Sequence, residues 1–148
     1  MSEEIQIFTQ QHLDECASLF IEVFNSEPWK ESWDFEKAKF LLSQILNTPN
    51  CVGLILQQQN IILGFVIGYC EQRDKGKNFF LKEMCVRSNQ QRQGIGTKLI
   101  QNLIYQLNQA GVNLIYLLTM KDEYTEEFYS KNSFQSSSRM IIMTKNLE

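Results

Sequence analysis

The stretch from Phe79 to Met120 constrains the fold more than any other part of the chain. It begins with an apolar run over residues 79–86, continues through a polar loop holding Gly94 and Gly96, and ends on an apolar, β-branched run over residues 112–120. Between the loop and the last run, Leu99, Ile100, Leu103, Ile104, Leu107 and Ala110 recur at helical spacing, which makes one face of a helix apolar. Gly111 suits the position just past that helix, where a left-handed residue is favoured. A strand, a helix and a second strand in this order form a crossover unit. Such units join parallel neighbours and are right-handed. The runs at 79–86 and 112–120 are therefore expected side by side and parallel, the second of them buried.

The remainder supplies the rest of a sheet. Residues 5–8 suit a short strand, and Thr9 is placed to cap a helix carrying Leu13, Cys16, Ala17, Phe20 and Phe24 on one face. His12, the single histidine, reads as a surface residue at that helix start. A second helix is expected from Asp34, with Phe35, Ala38, Leu42, Ile45 and Leu46 as its stripe. Apolar runs at 51–56, 61–70 and 79–86, separated by polar turns, predict a three-strand antiparallel meander. Asp122 is expected to cap a short helix through Lys131, and residues 138–144 to form a closing strand. The fold class is α/β (α+β): a single domain over residues 1–148, with a mixed, mostly antiparallel sheet and helices on both faces.

The bulk numbers narrow the function. The 148 residues are 43% hydrophobic and 21% charged, a globular balance able to form a core. A net charge of −3 without a basic block argues against nucleic-acid binding. The acidic start Met1-Ser2-Glu3-Glu4 lacks the basic flank of a secretory signal, and the apolar runs are too short for a bilayer, so a soluble cytoplasmic protein with no membrane partner is expected. Cys16, Cys51, Cys70 and Cys85 form no C-x-x-C pair and sit within apolar runs, so they read as buried thiols rather than disulfides or metal ligands. No metal is expected.

The chemistry points to Gln91-Arg92-Gln93-Gly94-Ile95-Gly96-Thr97. A glycine-containing turn from strand to helix exposes backbone N–H groups at the positive end of the helix, a natural anion site. The loop is not the dinucleotide pattern, because Leu99 stands where the third glycine belongs. Nor is it a P-loop, because Gly96-Thr97-Lys98 reverses the required order. It resembles the pyrophosphate motif of the GNAT N-acetyltransferases, Q/R-x-x-G-x-G/A, through Gln91, Gly94 and Gly96. Phe128-Tyr129-Ser130-Lys131-Asn132-Ser133-Phe134 resembles the same family's F-Y-x-K-x-G-F segment, with Ser133 in place of the usual glycine. The likeness runs through the whole chain in element order.

That resemblance implies an acetyl-CoA-dependent N-acetyltransferase. Its cofactor residues would be Met84, Cys85 and Val86 along the strand, and Gln91, Arg92, Gln93, Gly94, Ile95, Gly96 and Thr97 at the loop. The pantetheine would lie between two splayed parallel strands, at 79–86 and 112–120. The Val86 N–H would stabilise the oxyanion, and Tyr129 would protonate the departing thiolate. Glu83, in a strand apolar on both faces, is the candidate base, because burial raises a carboxyl pKa. The competing reading pairs Glu83 with Arg87 or another basic residue at a sheet end. For Tyr129 the competing role is aromatic packing.

In this family the acceptor site lies between the first two helices. Here that region holds Glu22, Glu27, Glu31, Asp34 and Glu36 against Lys30, with Trp29 and Trp33 between them. Trp29, Glu31 and Trp33 are the candidate contacts for a primary amine of a small cationic molecule or a peptide. A solvated acidic face with two anchoring tryptophans explains the same pattern. The alternative function is an acetyl-CoA-binding regulatory or interaction module without turnover. An exposed edge strand would support a homodimer.

Overall fold

The computed structural model describes residues 2–91, 94–121 and 123–148. Arg92, Gln93 and the helix cap expected of Asp122 lie outside the described residues. The chain forms two compact units, one ending at Leu118 and the other spanning Thr119–Glu148.

The first unit is an open sheet of five strands in the order β1-β2-β3-β4-β5. These are β1 (Glu3–Ile7), β2 (Cys51–Gln58), β3 (Ile61–Arg73), β4 (Gly76–Val86) and β5 (Val112–Leu117). The first four pair antiparallel, and β5 runs parallel to β4, as a crossover requires. The crossover element is α3 (Ile95–Gln109), followed by Gly111 at φ 79°.

Helices α1 (Leu13–Phe24) and α2 (Phe35–Leu46) cover one face. Asp34 caps α2, its carboxylate accepting from the Lys37 N–H at 2.8 Å. A core of Phe8, Cys16, Phe20, Leu42, Ile55, Phe65, Ile67 and Cys85 joins these helices to the sheet. His12 ends a 3₁₀ turn, its Nδ1 accepting from the Thr9 N–H at 3.0 Å. The other face takes α3. Gly64 permits the close approach: a Cβ there would stand 2.9 Å from the Cys85 carbonyl oxygen and 3.1 Å from Leu99 Cδ1.

Two expectations fail. Strand β5 stops at Leu117 and stands at the sheet edge, with Leu114 53% exposed, instead of being buried. Residues 138–144 form no strand. The Ser137 hydroxyl takes the N–H groups of Arg139 and Met140 into a local turn, at 3.2 and 3.0 Å. Side-chain bonds of this kind compete with a ladder. Met140 and Ile141 are 75% and 83% exposed, so this run also lacks the apolar burial that would stabilise a strand.

The second unit holds α4 (Glu123–Lys131). Its end is a Schellman turn: Phe134 N–H bonds the Tyr129 carbonyl and Ser133 N–H bonds that of Ser130, both at 3.0 Å. The rings of Tyr129 and Phe134 pack edge to face at 5.5 Å, the apolar contact that accompanies such a turn. Ser133 occupies the left-handed position at φ 70°, so the departure from glycine falls where glycine is cheapest.

Candidate active site

The site begins where β4 and β5 part. Their pairing runs from Lys77 opposite Val112 to Leu81 opposite Leu117, and β4 then continues to Val86 against β3 alone. Arg87 N–H donates to the Leu63 carbonyl at 2.7 Å. By the alternation of an antiparallel ladder, the Val86 N–H and C=O therefore point away from β3, into the opening. Such an edge suits a ligand that lies along it as an added strand.

At the end of that edge, Gly94 caps α3 with φ 85°. Among the described residues, and apart from its chain neighbours, nothing lies within 4 Å of where a Cβ at Gly94 would stand. The first helical bond, Lys98 N–H to the Gly94 carbonyl at 3.0 Å, leaves the N–H groups of Ile95, Gly96 and Thr97 as helix-start donors. Gly96 is buried in that first turn. The Gln91 side-chain amide donates to the Val86 carbonyl at 3.0 Å and ties the loop to the end of β4.

Glu83 stands opposite Ile67, on the face that α1 and α2 cover. The register slips between Ile67 and Gly68, so Lys82 is the extra residue of a β-bulge just before Glu83. Burial pushes the Glu83 carboxyl from 4.5 up to about 7, with Lys82 opposing and the Glu31 charge adding to the rise. Arg87 is engaged elsewhere: its Nε and Nη2 donate to the Ile62 carbonyl at 3.2 and 2.7 Å, and its Nη1 lies 3.5 Å from Glu22. Among the described residues, no salt bridge involves Glu83.

The thiols are poor nucleophiles. Cys85 is buried beneath α1, its Sγ 3.7 Å from the Leu19 carbonyl, and burial raises its pKa well above the ordinary range. Burial raises those of Cys16 and Cys70 as well, and pushes Cys51 to about 11.

The segment between α1 and α2 is held by Asn25, whose side chain both donates to the Trp33 carbonyl and accepts from its N–H, each at 2.8 Å. Trp33 meets Phe20 at 4.9 Å, and Trp29 meets Phe24 at 5.1 Å, so both indoles anchor the segment to the core. Trp33 Nε1 donates to the Glu31 carboxylate at 2.7 Å. Several of the carboxylates are internally engaged: Glu22 with Arg87, Glu27 with Lys30 at 2.8 Å, and Asp34 at the α2 cap. Exposed Glu31 is the one coupled to Glu83. Tyr129 belongs to the second unit, where its ring also meets Phe128 at 5.1 Å.

A cross-strand row formed by Tyr69, Phe80 and Tyr116 lies on the same face as Glu83. Sequence reasoning does not single it out, because it depends on the register of three strands. The pairs Tyr69-x-Glu71 and Phe79-Phe80 were its only sequence signal. No helix among the described residues is long and apolar enough to cross a membrane. Among them, no group of three His, Cys, Asp or Glu is placed to hold a metal ion.

A family model, described as the acetyltransferase (GNAT) family, matches residues 11–134. The chain belongs to the GNAT acetyltransferase family. It is thus an acyltransferase domain by descent, and the family match crosses both compact units. Among solved structures, this GNAT chain is similar to an aminoglycoside acetyltransferase, meta-AAC0020, from an uncultured soil metagenomic sample in complex with sisomicin. That match has 22% identity and a TM-score of 0.77, and covers 99% of this chain and 97% of the other. A possible acetyltransferase from Clostridium difficile 630 superposes with a TM-score of 0.84 at 12% identity, covering 100% of both chains. The aminoglycoside N-acetyltransferase AAC(6')-Iy in complex with CoA gives 0.77 at 15% identity, covering 99% and 96%. At these identities the likeness concerns the fold. No curated protein matches the sequence.

Proposed function

We propose that the chain transfers an acetyl group from acetyl-CoA to a primary amine of a small cationic molecule or peptide, by direct attack of the amine. One observation carries the reading: Glu83, held near neutrality by burial, stands on the part of β4 that has left β5, the strand that ends beside the Gly94 cap.

The residues present fit the donor. The N–H groups of Ile95, Gly96 and Thr97 would hold its pyrophosphate, and the lack of a side chain at Gly94 would let the anion approach the backbone. The outward main-chain groups of Met84 and Val86, on either side of Cys85, would bind the pantetheine. When bound, the donor supplies a thioester carbonyl.

Glu83 would take the proton of the acceptor ammonium, which frees the lone pair that forms the new C–N bond. Glu31 and the Trp33 indole it binds would hold the cation at the mouth of the site. The outward Val86 N–H would donate to the developing oxyanion. As the C–S bond breaks, sulfur would take a proton, the role that the family resemblance gives to the Tyr129 phenol, while the new C–N nitrogen sheds its second proton to become the neutral amide and restores the phenol. The buried, high-pKa thiols favour direct transfer over an acyl-cysteine route. That a structural neighbour is an aminoglycoside acetyltransferase in complex with sisomicin supports a small-molecule amine as acceptor.

The test is free-thiol release from acetyl-CoA against a panel of amines. Amine-dependent release with a matching N-acetyl product is expected. Tight acetyl-CoA binding with no acceleration by any amine would favour a binding module without turnover.

A further inference from the structure

The aromatic row beside Glu83 is used by no step above. Tyr69, Phe80 and Tyr116 are register partners on β3, β4 and β5, so their side chains share one face. Phe80 and Tyr116 stack at 4.6 Å and 11°, and Tyr69 meets Phe80 edge-on at 5.9 Å. All three are half-buried, leaving part of the row open. Glu71 follows Tyr69 by two residues and so lies on the same face, where one carboxylate oxygen accepts from the Tyr116 phenol at 2.8 Å. Its second oxygen has no hydrogen bond among the described residues.

This row is adjacent to the one holding Glu83. Ile67, the partner of Glu83, and Tyr69, the partner of Phe80, are two residues apart on β3, about 7 Å at the rise of a strand. The face already holds one ammonium: Lys82 Nζ lies 5.1 Å from the centre of the Phe80 ring. Lys82 is the bulge residue and only half-buried, so its side chain has a path to solvent. The remaining nearby cation, Arg73, is exposed at the end of β3.

We infer that the Tyr69–Phe80–Tyr116 row and Glu71 form a second cation subsite, which selects diamines and polyamines as acceptors by holding one ammonium there while another reacts at Glu83. Ring faces attract ammonium groups, and the unfilled Glu71 oxygen offers an ionic hydrogen bond. The incoming ammonium takes the position over Phe80 that Lys82 occupies when no acceptor is bound. The inference rests on the acetyl-transfer reading above and adds the spacing and number of charges of the acceptor.

Linear diamines of graded length, each compared with the monoamine of equal length, provide the test. For diamines long enough to reach both rows, kcat/KM is expected to exceed that of the matched monoamine by about tenfold, the effect of one exposed cation–π contact with one ion pair. Ethylenediamine, too short to reach both, should show no such advantage. Glu71→Gln keeps an acceptor for the Tyr116 phenol and should bring the diamine-to-monoamine ratio close to one. Lys82→Met vacates the ring face and should raise that ratio, an effect that loss of structural support would not produce. Robust thiol release with equal kcat/KM for diamines and monoamines would overturn the second subsite and leave acetyl transfer standing. Release unaffected by every amine would overturn both.

Discussion

Glu83→Gln tests the site through two observables, one of which needs no substrate. In the folded chain burial raises the Glu83 carboxyl from 4.5 to about 7. At about 1.4 kcal/mol per pH unit of separation, ionised Glu83 costs the fold on the order of 3 kcal/mol. Because the folded state holds this proton more tightly than the unfolded state, the stability is fully present below pH 4.5. It is lost as pH rises through about 7. Glutamine is neutral throughout. Urea denaturation should therefore show Glu83→Gln gaining on the native protein by about 2–3 kcal/mol between pH 5 and pH 8. For activity, the native kcat/KM should carry a limb near pH 7 that the variant lacks. The rate defect, about 10²–10⁴ for a placed base, should be largest just above neutrality, where Glu83 is ionised and the acceptor is still an ammonium. It should shrink near the amine's own pKa, about 10, as free amine accumulates. A stability difference that stays flat with pH would refute the burial argument. A pH-independent rate defect would make Glu83 a structural carboxylate.

Other outcomes follow from single residues. Tyr129→Phe should lower kcat by about 10²–10⁴ with little change in acetyl-CoA affinity, measured by thiol release and calorimetry; native turnover would assign the ring to packing against Phe134. Gly94→Val should abolish the melting shift produced by excess acetyl-CoA, because its φ of 85° disfavours a branched residue and its side chain would stand where the anion approaches the backbone. Ser133→Gly should stabilise the end of α4 by about 1 kcal/mol, read as slower amide exchange at Ser133 and Phe134, since only glycine takes φ 70° without steric cost. Glu31→Gln should raise the amine KM several-fold, leave the acetyl-CoA KM in place and lower the pKa of Glu83 by removing a like charge.

Much of the fold was legible because its signals are local. The helical spacing of Leu99, Leu103 and Leu107, the helix start at Asp34 and the glycine at position 111 each act within a few residues, and each reappears in the structure. The run at 138–144 misled for the same reason: its apolar residues suit a strand, but a strand requires a partner, and Ser137 turns the backbone locally instead. The candidate loop was legible through Gly94, while the function of Gln91 as a tie to the Val86 carbonyl was not.

The sequence by itself determined the family, the crossover between β4 and β5, and the apolar setting that makes Glu83 a neutral-range carboxyl. Tertiary structure alone decided that Arg87 binds Ile62 and Glu22 instead of Glu83, and that β5 leaves β4 after Leu81. It also decided that the bulge at Lys82 brings Phe80 and Glu83 to one face. The physical reason is that periodicity and capping are properties of neighbouring residues. Register, splay and the pairing of buried charges are set when distant strands compete for the same hydrogen bonds and the same space.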